Sequence, residues 1–135
     1  MAGSFLLAGA AAAADFPTRT VQVVVPYAPA GGVDLTSRLM TQTLAEQTKG
    51  NFVVENKPGA SGLLGASTVA NAAPDGYTWL VAADTMTSVP YIVASMPINP
   101  QTDIVPITQI ALSPYIFVIS NKIPANSVQI GRAHV

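Results

Sequence analysis

A valine-rich run that leads through a proline and glycine loop into a helical pattern is the feature that most constrains this fold. Residues 21–25 read VQVVV, and nearly continuous β-branched residues are typical of a strand that is covered on both faces, as in a parallel sheet. Pro26 cannot donate to a sheet ladder, so we expect the strand to end there. Pro29, Gly31 and Gly32 then allow a tight turn.

The segment that follows this turn has helical periodicity. Its apolar residues predict a stripe that packs on the sheet, made of Leu35, Leu39, Met40 and Leu44. Because a helix start presents unpaired amides and a positive dipole end, we expect the amides of residues 30–32 to form an anion site. Asp34 complements the same dipole and can pair with Arg38 one turn later, so a structural role and a ligand-binding role both remain open for Asp34.

The rest of the chain predicts further strands that alternate with helices. Four runs of β-branched and aromatic residues predict strands, at residues 52–56, 77–83, 104–112 and 115–120. A helix with a small-residue face follows the loop at residues 59–62, a polar loop is expected at residues 84–88, and another helix start is expected at residues 124–128. This order is typical of the α/β class.

Composition excludes several classes of protein. Hydrophobic residues make up 50% of the 135 residues, yet 11 prolines divide the chain, and every apolar run after residue 15 is shorter than the roughly 18 residues of a membrane-spanning helix. Strands buried on both faces explain the apolar excess. The net charge is -1 and no basic stripe is present, so we expect no nucleic-acid partner. The absence of cysteine excludes disulfides and cysteine metal sites.

The two ends of the chain carry separate predictions. Residues 5–14 read FLLAGAAAAA, and an apolar block that ends in small residues predicts a signal peptide at residues 1–14, and therefore export. Residues 130–135 read IGRAHV, which matches the translation of a common sequencing adapter and predicts a non-native tail. The only histidine, His134, lies in that tail and is given no function.

Residue patterns support enzyme chemistry only weakly. Ser61 lies in a glycine-rich turn, but position 63 is leucine, so the G-x-S-x-G motif of hydrolases is absent and a helix N-cap is the simpler interpretation. The carboxylates show no metal-ligand spacing. A nucleotide-dependent enzyme is the stronger alternative, because Gly59–Gly65 joins a strand to a helix and Asp84 ends the next strand about 20 residues later. The spacing here is G-x-x-G-x-x-G.

Three stretches resemble one family. FPTRTVQVVVPYAPAGGVDLTSRL, VVENKPGASGLLGASTVANAAPDGYTWL and NPQTDIVPIT are similar to the Bug-type periplasmic solute-binding proteins, the receptors of tripartite tricarboxylate transporters, and the similarity extends over residues 16–128. The resemblance implies an α/β fold that forms the first lobe of a two-lobe, type II or Venus flytrap, binding protein. Residues 15–129 are then an N-terminal lobe, truncated before the second.

The resemblance also implies a function. A small organic acid is captured between two lobes in the periplasm of a Gram-negative bacterium and passed to membrane permease subunits, by a monomeric receptor without catalysis, cofactor or metal. A sensory receptor that is not coupled to transport is an alternative. The residues expected to bind the ligand are Tyr27, Ala28, Pro29, Ala30, Gly31, Gly32, Asp34, Ser61, Asp84, Thr85, Met86 and Thr87.

Overall fold

The protein folds around a three-stranded parallel sheet. The computed structural model describes residues 16–93, 95–116, 118–120 and 122, and the predicted signal peptide, tail and last helix start lie outside them. The strands are β1 (Val21–Val25), β2 (Phe52–Asn56) and β3 (Thr78–Leu80), in the order β2-β1-β3. The helices are α1 (Gly32–Thr48), α2 (Leu63–Ala70) and α3 (Thr85–Ile92), and a short 3₁₀ turn, Ala60–Gly62, precedes α2. The predicted α/β class is confirmed.

Strand β1 is the centre of the sheet. Val23 lies opposite Val54 of β2 and Trp79 of β3, and both pairings are parallel. All four valines of β1 are fully buried. The prediction of a strand covered on both faces is therefore confirmed, and it explains why the run is valine-rich without the polar alternation of a half-exposed strand.

Helix α1 turns a different face to the sheet from the one that its leucines predict. Leu35 and Leu39 are 59% and 67% exposed, so the predicted stripe is wrong at these positions. The buried residues of α1 are Asp34, Ser37 and Thr41. Ser37 Oγ and Thr41 Oγ1 each donate to a carbonyl oxygen one turn earlier in the helix, at 2.6 and 2.9 Å. Small hydroxyl residues whose hydrogen bonds are made locally are buried at little cost.

Most of the segment predicted as a polar loop, residues 84–88, belongs to α3, which begins at Thr85 with Asp84 as its N-cap residue. The Thr87 amide donates to the Asp84 carbonyl oxygen at 2.9 Å, as in a first helical turn. Met86 and Val89 lie one turn apart and are both buried, and they join a cluster with residues of α2 on one side of the sheet. The loop prediction is wrong because it was based on the polar residues, such as Thr87 and Ser88, and not on the helical spacing of Met86 and Val89.

Three of the predicted strands differ from the structure. The third strand is shorter than residues 77–83, although the Val81 amide still donates to the Val24 carbonyl oxygen at 3.0 Å. No strand forms among the described residues of 104–112 and 115–120, where most large apolar side chains are exposed. Apolar composition predicts a need for burial, but a strand also needs a partner edge for its backbone groups. Of the helices in the described ranges, none has the length and apolar character required to cross a bilayer.

Candidate functional site

Three loops meet at one edge of the sheet. Because all three strands are parallel, the segments that leave β1, β2 and β3, at residues 26–31, 57–62 and 81–84, emerge at the same edge. Each segment leads into a helix whose first residue lies there. The positive ends of three helix dipoles therefore lie at the carboxyl edge of the sheet, where negative charge is favoured.

A cavity of about 460 Å³ lies between these loops. It is bounded by residues of all three connections and by one face of α3. Its lining consists of Pro26, Tyr27, Ala28, Pro58, Gly59, Ser61, Gly62, Thr85, Ser88, Val89 and Ile92. None of these side chains is charged, and the polar groups they offer are hydroxyls.

Tyr27 joins the first loop to the third. Its hydroxyl oxygen accepts the Ala83 amide hydrogen at 3.1 Å and lies 2.9 Å from Thr85 Oγ1. Since the oxygen already accepts one hydrogen bond, its own hydrogen is available to donate to Thr85 or to a ligand. The contact holds two sides of the cavity at a defined separation.

Asp34 organises the loop that follows β1. The residue is 2% exposed, and its Oδ2 accepts the Ala30 amide at 2.9 Å and Arg38 Nε at 3.0 Å. Its Oδ1 accepts Asn56 Nδ2 at 2.9 Å. The same Asn56 nitrogen donates to the Tyr27 carbonyl oxygen at 3.2 Å, and Asn56 Oδ1 accepts Arg38 at 3.0 Å. The network ties the first loop to α1 and to the end of β2.

The amides of the first loop are only partly available to a ligand. The Ala30 amide donates to Asp34, so it is occupied within the protein, and the expectation that it binds an anion is wrong for this structure. Gly31 and Gly32 precede the first intrahelical bond of α1, which runs from the Leu35 amide to the Gly31 carbonyl oxygen. Among the described residues, no acceptor is found for the amides of Gly31 and Gly32. These two amides are therefore main-chain donors available at the start of α1.

Two consecutive residues of the second loop adopt the left-handed backbone conformation. Ala60 and Ser61 have φ values of 47° and 55°, a region that costs energy for residues other than glycine and is enriched at functional sites. The amides of Gly62 and Leu63 donate to the carbonyl oxygens of Gly59 and Ala60. The N-cap position of α2 is Gly62, without a side-chain capping bond. The interpretation of Ser61 as an N-cap is therefore wrong.

Comparison with known proteins identifies the family. The model of the tripartite tricarboxylate transporter family receptor, TctC, matches residues 36–131, most of the chain. The chain belongs to this receptor family. Two curated relatives from Bordetella pertussis, a UPF0065 protein and the protein BugT, are 35% and 31% identical to the receptor chain over 93% and 90% of its length. The resemblance to Bug-type solute-binding proteins is confirmed.

A solved structure supports the fold. The crystal structure of a TctC solute-binding protein from Polaromonas, without ligand, matches the receptor chain with a TM-score of 0.55 and 31% identity, over 60% of this chain and 29% of that one. The chain covers 39% and 38% of the two Bordetella proteins, so it spans about two fifths of the length of the curated relatives it matches. The family is one of solute-binding receptors.

The structure brings together some of the predicted ligand-binding residues and not others. Those that line the cavity are Tyr27, Ala28, Ser61 and Thr85. Those that lie outside its lining are Pro29, Ala30, Gly31, Gly32, Asp34, Asp84, Met86 and Thr87. Met86 is buried in the core, in a cluster with residues of α2. Thr87 Oγ1 donates to the Asp84 carbonyl oxygen at 2.6 Å, and Asp84 Oδ1 accepts the Tyr115 hydroxyl at 2.6 Å.

The sequence interpretation did not anticipate that Val89 and Ile92 of α3 line the cavity together with Thr85. Thr85, Ser88, Val89 and Ile92 all line the cavity, and their spacing of i, i+3, i+4 and i+7 is that of a single helical face. This helical spacing is present in the sequence, but the interpretation of residues 84–88 as a loop leaves it unused. Asn56, which holds the first loop, has no comparable signal because its partners are distant in sequence.

Acid is expected to remove the stabilisation that Asp34 supplies. The hydrogen bond from Arg38, followed by those from the Ala30 amide and Asn56, lowers the pKa of the Asp34 carboxyl from 3.8 to about 2. Because the folded pKa is below the unfolded one, the contribution is complete above about pH 4 and is lost as the pH falls through about 2. We expect the difference in Tm between wild-type receptor and Asp34→Asn to shrink between pH 4 and pH 2.

Thermal unfolding at half-unit pH steps measures this difference. Asp34→Asn should retain part of the acid dependence, because the Asn99 amide and Thr102 also lower the pKa of Asp103. An acid slope that is identical in wild type and Asp34→Asn contradicts the prediction.

Proposed function

We propose that the complete protein is an extracytoplasmic receptor that binds a small organic carboxylate and delivers it, without catalysis, to the membrane subunits of a tripartite tricarboxylate-type transporter. The observation that carries the proposal is the convergence of three strand ends and three helix starts on one cavity. Ligands of open α/β sheets bind at this edge. Membership of a family described as tricarboxylate transporter receptors supports both the ligand class and the partner.

In this proposal, neutral donors bind the carboxylate. The cavity lining offers the hydroxyls of Tyr27, Ser61, Thr85 and Ser88, and the amides of Gly31 and Gly32 lie at the same edge of the sheet. Hydrogen bonds to a charged group contribute roughly 1.5 to 3 kcal/mol each, so three supply about 4 to 9 kcal/mol before the costs of association. A micromolar ligand requires about 8 kcal/mol. Closure by the remainder of the receptor supplies the rest, and Asp34 acts by positioning the loop.

The alternative of a nucleotide-dependent enzyme receives little support from the glycine loop. The amides of Gly62 and Leu63 are bonded to carbonyl oxygens of the same loop, which takes them away from a diphosphate. A Cβ at Gly65 would lie 2.8 Å from Pro26 Cβ, so close packing of α2 on β1 accounts for this glycine. Among the described residues, no group of three or more acidic, histidine or cysteine side chains is placed to hold a metal ion.

Calorimetric titration of the complete receptor with pairs of molecules tests the proposal. Each pair is a carboxylate and its primary amide, which has the same shape without the charge. We expect saturable binding of at least one carboxylate, with its amide at least about tenfold weaker, because the charged hydrogen bonds are lost. Binding of NAD or NADP with no binding of any carboxylate would overturn the proposal in favour of the enzyme.

Delivery to a permease needs a second measurement. Uptake of the bound acid by cells that express the membrane subunits should require the receptor, and uptake that is unchanged without it favours the sensory alternative.

A further inference from the structure

Two side chains flank the start of α3 at the edge of the cavity. Thr85 lines the cavity, and its Oγ1 lies 2.9 Å from the Tyr27 hydroxyl. Asp84 immediately precedes Thr85, and the Asp84 carbonyl oxygen accepts the Thr87 amide at 2.9 Å. Negative charge is favoured at the amino end of a helix. The Asp84 carboxylate is therefore an internal competitor for the place beside Thr85 where the proposed site receives an anionic ligand.

The Asp84 carboxylate does not occupy that place. An aspartate that precedes a helix usually has an extended backbone, and its side chain accepts a main-chain amide of the first turn. The backbone of Asp84 is instead helical, with φ -56° and ψ -22°, and its side chain makes no capping hydrogen bond. Asp84 is also outside the cavity lining, although Thr85 is part of it. The carboxylate therefore neither caps α3 nor lines the cavity.

Tyr115 holds the carboxylate in this orientation. The Tyr115 hydroxyl donates to Asp84 Oδ1 at 2.6 Å, from a segment 31 residues later in the chain. A hydrogen bond to a charged acceptor is short and strong for its kind. The same bond raises the pKa of the Tyr115 hydroxyl, so the hydroxyl keeps its proton and remains the donor. Within the described ranges, Tyr115 is the residue that donates to this carboxylate.

Loss of the Tyr115 hydroxyl would leave the Asp84 carboxylate free to turn. Its side chain would then be attracted to the positive end of α3, and it would repel a ligand carboxylate bound at Thr85 and Tyr27. Tyr115 lies 78% exposed, so its aromatic ring contributes little to the core. The hydroxyl, which makes the bond to Asp84, is then the part of this side chain that matters to the site.

We infer that Tyr115 is a positioning residue of the binding site, whose hydroxyl holds the Asp84 carboxylate outside the cavity and keeps the amino end of α3 available to a ligand carboxylate. This inference rests on the proposed function and adds to it a residue that lies outside the cavity lining. Asp84 is then a residue that the receptor must hold away from the ligand.

Titration of Tyr115→Phe in the complete receptor tests the inference. The probes are butanoate, butanedioate and benzoate with the corresponding amides, and the pair whose acid binds wild type most tightly is used for every variant. Groups that the remainder of the receptor contributes to the site are present in all of them. We expect Tyr115→Phe to weaken binding of the acid by about threefold, within the range for two exposed charges, and to leave binding of the uncharged amide within about 1.5-fold of wild type.

Asp84→Asn separates this role from a structural one. Without the charge, the Tyr115 hydroxyl has no carboxylate to hold, so we expect Tyr115→Phe to change the affinity for the acid by less than about 1.5-fold in an Asp84→Asn background. Tyr91→Phe is the matched control, because Tyr91 is 83% exposed, lies on α3 and does not line this cavity. It should bind the acid as wild type does.

The outcomes distinguish this inference from the proposed function. If wild type and Tyr115→Phe bind the acid equally, or if Tyr115→Phe loses the same affinity with and without the Asp84 carboxylate, the inference is overturned and the proposed function stands. An equal loss for the acid and its amide also overturns it, because a merely structural role of Tyr115 affects both probes alike. If wild type binds none of the three acids, the inference and the carboxylate receptor fail together.

Discussion

Replacing Asp34 with asparagine in the complete receptor is expected to weaken carboxylate binding by about tenfold or more and to lower the Tm by roughly 5 °C. The two side chains have nearly the same shape, so the effect comes from the changed hydrogen bonding and from the loss of the charge that pairs with Arg38. The apparent affinity of a site falls in proportion to the fraction of molecules in the binding-competent conformation. A loop that keeps its conformation in one molecule in ten therefore gives a tenfold loss. Titration calorimetry and thermal unfolding measure the two effects.

The hydrogen-bond network around Asp34 cannot accommodate the amide group of an asparagine at position 34. Both carboxylate oxygens accept, from the Ala30 amide, Arg38 and Asn56. An amide at position 34 must direct its NH2 group at one of these donors. Rotating the Asn56 amide does not relieve the conflict, because its oxygen would then face the Tyr27 carbonyl and its nitrogen would face Arg38. The conflict thus spreads to the loop that carries Tyr27.

Two further variants separate this positioning role from direct ligand contact. Glu46→Gln removes a carboxylate from an exposed position of the same helix, where Glu46 Oε1 accepts a hydrogen bond from Gln42 Nε2 at 3.3 Å. This variant should leave both affinity and Tm nearly unchanged. Asn56→Ala removes a side chain that does not line the cavity, and it should weaken binding in the same direction as Asp34→Asn. Wild-type affinity in Asn56→Ala, with a loss in Asp34→Asn, would indicate that Asp34 contacts the ligand itself.

The elements that the sequence predicts correctly are those whose signals are local. The valines of β1, the proline that ends it and the glycines that follow are adjacent in the chain, and each acts through its own backbone. The pairing of Asp34 with Arg38 follows from one turn of helix and is present at 3.0 Å. The convergence of the strand ends at one edge follows from parallel pairing alone. These features were enough to predict that the loops after the strands meet at one edge of the sheet.

The features that the sequence does not predict depend on contacts distant in the chain. Whether Leu35 and Leu39 are buried is decided by which face of α1 the sheet accepts, and the hydrogen bonds of Asp34 to Ala30 and Asn56 select the other face. Similarly, α3 is anchored by Met86 and Val89 in a cluster with α2, which residue types at 84–88 do not reveal. Tertiary contacts override local propensity in both cases.

Replacing Gly65 with alanine is expected to destabilise the receptor by about 1 to 3 kcal/mol, the usual cost of overpacking a well-packed interior. An added Cβ would lie 2.8 Å from Pro26 Cβ, 3.0 Å from Pro26 Cα and 3.1 Å from the Lys57 carbonyl oxygen. Two of these atoms are backbone, so α2 must move away from the end of β1. The gain of about 0.5 to 1 kcal/mol from removing a helical glycine does not offset this. Urea unfolding of the complete receptor measures the change.

The matched substitution is Gly32→Ala, because a Cβ there meets no atom within 4 Å. The free energy of unfolding of Gly32→Ala should equal that of wild type or exceed it slightly, and a loss of the same size in both variants contradicts the packing argument.

The clash at Gly65 also has a consequence for binding, because Pro26 lines the cavity and the loop before α2 supplies Ser61. Moving α2 separates these two walls, so Gly65→Ala should lose affinity along with stability. The close contact between α2 and the end of β1 therefore sets the width of the site.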